Sequence, residues 1–251
     1  MFYRYYDAIF ARKDYTGEIQ RALTLAGVRQ SGARLLEIGA GTGNHTLACA
    51  KLGHYVVGVE IDARMVALAQ QKRDALEAEL AERIRYFHGR VEDLPVEGFE
   101  LALALFNVVN YLATLAELQS FLAAVVRRIQ PGAPFLFDAW NGVAALLDPP
   151  REKHSTVETG THAIRVDVTS RTEPMALRTT LHYTLEATDK ATGQTEAGTY
   201  DLEQTLWPAK VILDAAASAG LDVLGVHPLD APARAATERD WKILFTCRRH
   251  M

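Results

Sequence analysis

The sequence predicts an α/β fold: a doubly wound, mainly parallel sheet with an antiparallel β insertion after its fifth strand. Three observations carry this. From Arg34 to Phe137, short apolar runs alternate with amphipathic stretches of helical period, the pattern of parallel strands joined by crossover helices. The run Phe99 to Phe106 (FELALALF) is nearly all apolar, as a central strand covered on both faces should be. Between Arg151 and Leu206 the period switches to two over successive runs, which points to hairpins rather than crossovers.

The elements follow in order. Residues 2–15 crowd Phe2, Tyr3, Tyr5, Tyr6, Phe10 and Tyr15. Exposing so many rings is costly, so this arm packs on something, either as a surface helix or as a lid over a ligand. Tyr15 to Leu25 has helical spacing and stops at Gly27. Leu35, Leu36 and Ile38 form a strand that runs into Gly39-Ala40-Gly41-Thr42-Gly43, and a helix follows to Leu52. The second strand, Tyr55 to Val59, ends on the acid Glu60. Asp62 suits the N-cap of a long helix reaching Leu80. Ile84 to Phe87 is the third strand, 99–106 the fourth, Leu115 to Ile129 a helix and Pro134 to Phe137 the fifth strand. His162–Arg171, Leu177–Ala187 and Ala197–Leu206 alternate as antiparallel strands, the last two joined at Asp189–Gly193. Pro208 opens a helix over Lys210–Ala219, and Leu221–Val226 and Trp241–Cys247 return to the main sheet. The expected units are therefore 1–150 (arm and core), 151–206 (insertion) and 207–251 (C-terminal helix and strands).

Composition narrows the partners. The 251 residues carry a formal net charge of −4 and are 49% hydrophobic, which supports a folded core and no general attraction to nucleic acid or anionic membrane. No Lys/Arg-rich face or appended nucleic-acid module is evident. Cys49 and Cys247 are the only cysteines and form no metal or redox motif. They read as buried thiols of a reducing, cytoplasmic compartment, and no metal site is expected. The segment MFYRYYDAIF is too polar for a signal peptide. No apolar run approaches the ~18 residues of a membrane span.

The glycine loop is the informative motif. Glycines let the backbone approach a ligand closely, and the loop opens a helix whose free N–H groups favour polar or anionic groups. An acid at the end of the next strand can hold two ribose hydroxyls. The unit thus suggests a nucleoside-containing cofactor. In such sheets ligands bind beyond the strand carboxyl ends, where Glu60, Glu92, Asn107, Asn110, Tyr111, Asp138, Trp140 and Asn141 converge. A dinucleotide fingerprint wants its third glycine at position 44, which is Asn44; the glycine stands at Gly43.

The pattern Glu37-x-Gly39-x-Gly41-x-Gly43 resembles the first motif of the class I S-adenosylmethionine methyltransferases, whose fold is Rossmann-like. Tyr6-Asp7 and Lys13-Asp14-Tyr15 ahead of the first core helix resemble the N-terminus of bacterial TDP-amino-sugar N,N-dimethyltransferases, which also carry an antiparallel insertion. The resemblance implies S-adenosylmethionine as cofactor. Glu37, Gly39, Ala40 and Gly41 would line its methionine end, with the Phe106 carbonyl and Asn107 near the amino group. Glu60 would bind the ribose, with Ile61 and Met65 against the adenine. Tyr6 would close the site. The family usually has an Asp after the glycine of the third loop. This chain has Arg90 there, so Val91 and Glu92 would meet the adenine amino group.

Transfer from a sulfonium asks mainly that nucleophile, carbon and sulfur be held in line. A hydroxyl acceptor needs a general base, whereas an amine can arrive neutral. No His-Asp pair announces itself, and His45, His88 and His182 suit structural roles. The reading is methyl transfer to N, or O, of a small-molecule acceptor such as a sugar or natural-product intermediate, bound by Asn110, Tyr111, Trp140 and Asn141. The catalytic residues are left open, and the insertion is expected to cap the acceptor or pair two copies as a homodimer. Two alternatives stand beside it: an NAD-linked oxidoreductase and a non-catalytic S-adenosylmethionine-binding protein.

Overall fold

The computed structural model describes residues 1–251. Apolar strands here have only one way to bury both faces, which is between two helical layers. The seven-stranded sheet contains β1 (Arg34–Ile38), β2 (Tyr55–Glu60), β3 (Ile84–His88), β4 (Leu101–Ala104), β5 (Pro134–Trp140), β10 (Leu221–Pro228) and β11 (Lys242–Arg249), in the order β10-β11-β5-β4-β1-β2-β3. The pairs β1–β2, β1–β4, β2–β3 and β4–β5 are parallel, while β11 runs antiparallel to both its neighbours.

Period-two alternation divides the core. Leu36, Ala102, Ala104, Phe135 and Phe137 face one layer, with Leu118, Leu122 and Val125 of α6 (Leu115–Arg128) and Ile212 and Ala216 of α8 (Ala209–Ser218). Leu35, Leu101, Leu103 and Leu136 face the other, with Ile19 and Leu23 of α2 (Tyr15–Ala26) and Ala48 and Cys49 of α3 (Asn44–Lys51). Chain order reverses at β1, between β2 and β4, so the crevice for a ligand opens beyond the carboxyl ends of these strands. No helix is long and apolar enough to cross a membrane.

The second sheet has four antiparallel strands in sequence order: β6 (Lys153–Glu158), β7 (His162–Glu173), β8 (Arg178–Asp189) and β9 (Thr195–Thr205). Its first strand is one more than expected. Only Ser155 and Val157 of β6 escape full exposure, so its sequence carries almost no burial signal. The arm forms α1 (Phe2–Ile9), and Phe2 and Tyr5 are buried in a cluster with Ile164, Val166, Leu185 and Ala187 of this sheet. The expected long helix after Glu60 divides into α4 (Ala63–Asp74) and the single turn α5 (Ala78–Ala81). At 1.5 Å per residue, a helix from 62 to 80 would run about 28 Å, overshooting the strands it connects. A further short helix, α7 (Gly142–Leu147), follows β5.

Candidate functional site

The glycine loop follows directly from β1. Gly39 and Gly41 have φ of +72° and +56°, conformations that side chains disfavour. A Cβ on Gly39 would run into Val108, whereas one on Gly41 would meet nothing within 4 Å and point into open space. Glu60, at the end of β2, closes the other side. Its Oε2 accepts from the Gly41 N–H at 2.8 Å and its Oε1 from the Asp62 N–H at 2.9 Å. Asp62 caps α4 by accepting from Arg64 N at 2.8 Å.

After β4 the chain passes through two consecutive left-handed residues, Phe106 (φ +75°) and Asn107 (φ +62°). Non-glycine residues there cost about 1–3 kcal/mol each and persist only when held. Asp138, buried on β5, accepts from the Asn107 N–H at 2.8 Å. Burial pushes its carboxyl upward, and that bond draws it partly back. The Phe106 ring meets Phe10 edge-on at 5.2 Å, and Lys13 Nζ lies 4.6 Å over its face.

Beneath the loop runs a buried polar chain. Glu37 accepts from Thr46 Oγ1 and stands 3.7 Å from His45 Nδ1, and His45 Nε2 lies 2.8 Å from Glu18, which pairs with Lys13. Burial lifts Glu37 to about 7 against the pull of His45 and Thr46. Burial would lift Glu18 too, but hydrogen bonds from His45 and Lys13 outweigh it and bring the group down to about 2.

Loop, strand ends, arm and second sheet enclose one cavity of about 670 Å³, well within the size of a ligand site. Gly39, Gly41, Glu60, Ile61, Met65, Val91, Glu92, Phe106, Asn107 and Tyr6 border it, as do Tyr111 and Trp140. Five expected residues do not: Asp138, which holds the Asn107 N–H, and four more. Ala40 and Glu37 lie buried behind the loop. Asn110 is wholly buried, its Oδ1 accepting from Trp140 N at 2.8 Å and its Nδ2 donating to the Thr205 carbonyl at 2.7 Å. Asn141 is consumed at the start of α7: its Oδ1 accepts from Val143 N at 3.2 Å and its Nδ2 donates to the Thr237 carbonyl at 3.1 Å. Short polar residues at strand ends serve as clamps and caps as readily as ligand contacts.

The sequence also left part of the wall unnamed. Leu181, Tyr183, Tyr200, Leu202 and Gln204 border the cavity from β8 and β9. The cross-strand pairs Tyr183–Tyr200 and Leu181–Leu202 put them on one sheet face, the face that also receives α1. Lys153 and Lys242 border it too. Burial raises the phenol pKa of Tyr6 and Tyr183.

Residues 35–132 match the methyltransferase domain family. The structure superposes on a S-adenosylmethionine-dependent methyltransferase from Clostridium acetobutylicum with a TM-score of 0.78, covering 98% of this chain and 96% of that one at 15% identity. The core of this chain has the class I methyltransferase fold. The sugar N-methyltransferase KedS8 from Streptoalloteichus has the same fold, with a TM-score of 0.77, 23% identity and coverage of 97% and 92%. In sequence, the dTDP-3-amino-3,6-dideoxy-α-D-glucopyranose N,N-dimethyltransferase of Streptomyces fradiae is 29% identical over 161 residues, which are 63% of this chain and 59% of that one. A putative methyltransferase of Geobacillus matches at 28% over 121 residues, 48% of this chain and 47% of the relative. The chain thus spans about half the length of these two sequence relatives.

The cofactor of this domain class is S-adenosylmethionine, and the methyltransferase core offers what it requires. It has an open cradle over Gly41, a strand-end carboxylate at Glu60 and apolar side chains at Ile61, Met65 and Val91.

Proposed function

We propose that this protein transfers a methyl group from S-adenosylmethionine to the nitrogen of a small polar acceptor. The observation that carries this is the single cavity that joins the Gly39–Gly41 cradle and Glu60 to an aromatic chamber of Tyr111, Trp140, Tyr183 and Tyr200. In this reading Gly39, Gly41 and Asn107 hold the methionine end and the Phe106 carbonyl takes its ammonium. Glu60 accepts from the ribose hydroxyls, Ile61 and Met65 pack on the adenine, and Val91 and Glu92 meet its amino group. Tyr6 closes the cofactor end, while Tyr111 and Trp140 border the acceptor. Glu37, behind the loop, acts on the cradle through Thr46 and the backbone.

When bound, the cofactor supplies a methyl already activated by its sulfonium. What the protein adds is alignment and exclusion of water. Burial opposes ionisation of Tyr6 and Tyr183, which therefore stay neutral near pH 7 and make poor bases. This favours an acceptor that arrives as a free amine over one whose hydroxyl must be deprotonated. The aminated nucleotide sugar of the Streptomyces fradiae relative is the first acceptor to try.

The outer face of the second sheet carries pairs such as Arg165–Asp167 and His182–Asp201. Pairing of two copies therefore falls to the edge strands β6 and β9, whose unpaired backbone can add a strand.

Calorimetry with S-adenosylhomocysteine and with NADH tests the cofactor assignment. Tight binding of the first and none of the second is expected, and the reverse result would make the chain an oxidoreductase. Labelled-methyl transfer to amine and hydroxyl acceptors tests the reaction, and labelling confined to hydroxyls would overturn N-methylation.

A further inference from the structure

Three buried polar atoms around the cavity have no partner: Asn107 Oδ1, Trp140 Nε1 and Gln204 Oε1. All three residues border the cavity. Asn107 sits beside Phe106 at the cradle end. Trp140 and Gln204 sit where β5 and β9 finish. Asn110 ties those two strand ends together through the Trp140 N–H and the Thr205 carbonyl.

Gln204 is only 3% exposed and shares a sheet face with Tyr200 and Leu202. Its Nε2 donates to the Glu203 carbonyl at 3.2 Å. That bond fixes the amide's orientation, since the flipped amide would set two oxygens against each other. Its Oε1 is therefore an acceptor held without a donor, which destabilises a folded chain. A methionine would fill the same space without that cost. The Tyr111 ring also borders the cavity.

We propose that Gln204 and Trp140 determine acceptor specificity: Gln204 Oε1 accepts from an N–H or O–H of the acceptor, and Trp140 Nε1 donates to one of its oxygens. The proposal rests on the methyltransferase reading. The substrate class is then a small amino-hydroxy compound, and wholly apolar amines are rejected because they leave both atoms unpaired.

The test compares trans-2-aminocyclohexanol with cyclohexylamine as acceptors of labelled methyl, using the full-length wild type, Gln204→Met and Trp140→Phe. The wild type should prefer the amino alcohol by roughly tenfold or more in kcat/KM, and each variant should bring the two amines within about threefold of each other. Gln204→Met should keep wild-type affinity for S-adenosylhomocysteine. Without ligand its Tm should rise by about 2–4 °C, because an orphaned acceptor has been removed. A lower Tm for Gln204→Met would make its amide a structural group and overturn the proposal. So would an undiminished preference in both variants, or a wild type that binds S-adenosylhomocysteine yet shows no preference. Failure of the wild type to bind S-adenosylhomocysteine instead sinks the methyltransferase reading itself.

Discussion

Two carboxylates next to the glycine loop play opposite parts. Glu60 uses both oxygens on backbone N–H groups of Gly41 and Asp62, so it shapes the loop as well as facing the cavity. Glu60→Ala should weaken S-adenosylhomocysteine binding by roughly 1.5–3 kcal/mol, the scale of charge-assisted bonds, and should also lower ligand-free stability by about 1 kcal/mol. Calorimetry and urea unfolding read the two losses separately, and unaltered affinity would remove Glu60 from the site. Glu37 is fully enclosed, and burial lifts its carboxyl from 4.5 to about 7. Between those values the folded chain holds a proton that the unfolded chain has released, so stability falls as pH rises through this window. Below it both states are protonated and the burden vanishes. Glu37→Gln should therefore gain stability relative to wild type at pH 8 by a few kcal/mol, with little gain at pH 4. Urea midpoints at the two pH values check it; an equal effect at both would mean that Glu37 is not the titrating group. The motif Glu37-x-Gly39-x-Gly41 was legible because loop, cradle and strand-end acid are local in sequence. Gln204 was not, because the role proposed for it depends on Asn110 tying the end of β5 to Thr205, 95 residues further along the chain than Asn110.

Elements were read where burial leaves a period. The FELALALF run, read as a strand covered on both faces, buries alternate residues in the two layers, as do Leu35 and Leu36. β6 escaped notice because it is an edge strand with mostly exposed side chains. α7 begins where Asn141 caps it, a short helix with no long apolar period to announce it. The arm illustrates the limit best. Its rings announced that it must pack, and the partner proved to be the second sheet. Its polar face reaches the core through Asp7, which accepts from Thr42 Oγ1 at 2.6 Å and Asn44 Nδ2 at 3.0 Å and pairs with Lys72 at 2.7 Å. Asp7 is half exposed, so its ion pair is worth little for stability. Its value lies in fixing the arm to the glycine loop. Asp7→Ala should cost about 1 kcal/mol of S-adenosylhomocysteine affinity, roughly fivefold, with Tm nearly unchanged. A drop in Tm without loss of affinity would make Asp7 a structural contact only.

At the scale of the molecule, arm and second sheet form one body. Phe2 stacks on Tyr200 at 4.5 Å, Tyr5 donates to Glu196 at 2.5 Å, and both rings are buried against β7 and β8. Truncating a buried ring of this kind costs about 3–5 kcal/mol, so α1 is anchored on the sheet. Fewer contacts join this body to the core. They include the Asp7 latch, the Tyr3 ring 3.8 Å from the Arg64 guanidinium, the Phe10 ring edge-on to Phe106, and the Asn110 bond to Thr205. Three short connections link the two parts: Phe10–Asp14, Asp148–Glu152 with its two prolines, and Leu206–Pro208. A lid drawn from the weakly held part of a structure opens along such seams. The arm should therefore open together with the sheet, not alone. Removing residues 1–12 should expose Ile164, Val166 and Leu185 and destabilise the sheet itself. Hydrogen exchange with and without S-adenosylhomocysteine reads the coupling directly. Amides of α1 and those of β7 and β8 that face the cavity side should slow by a common factor when the ligand binds, because one opening event controls both. Slowing confined to α1 would show that the arm moves as an independent flap and that its packing on Tyr200 breaks with every opening.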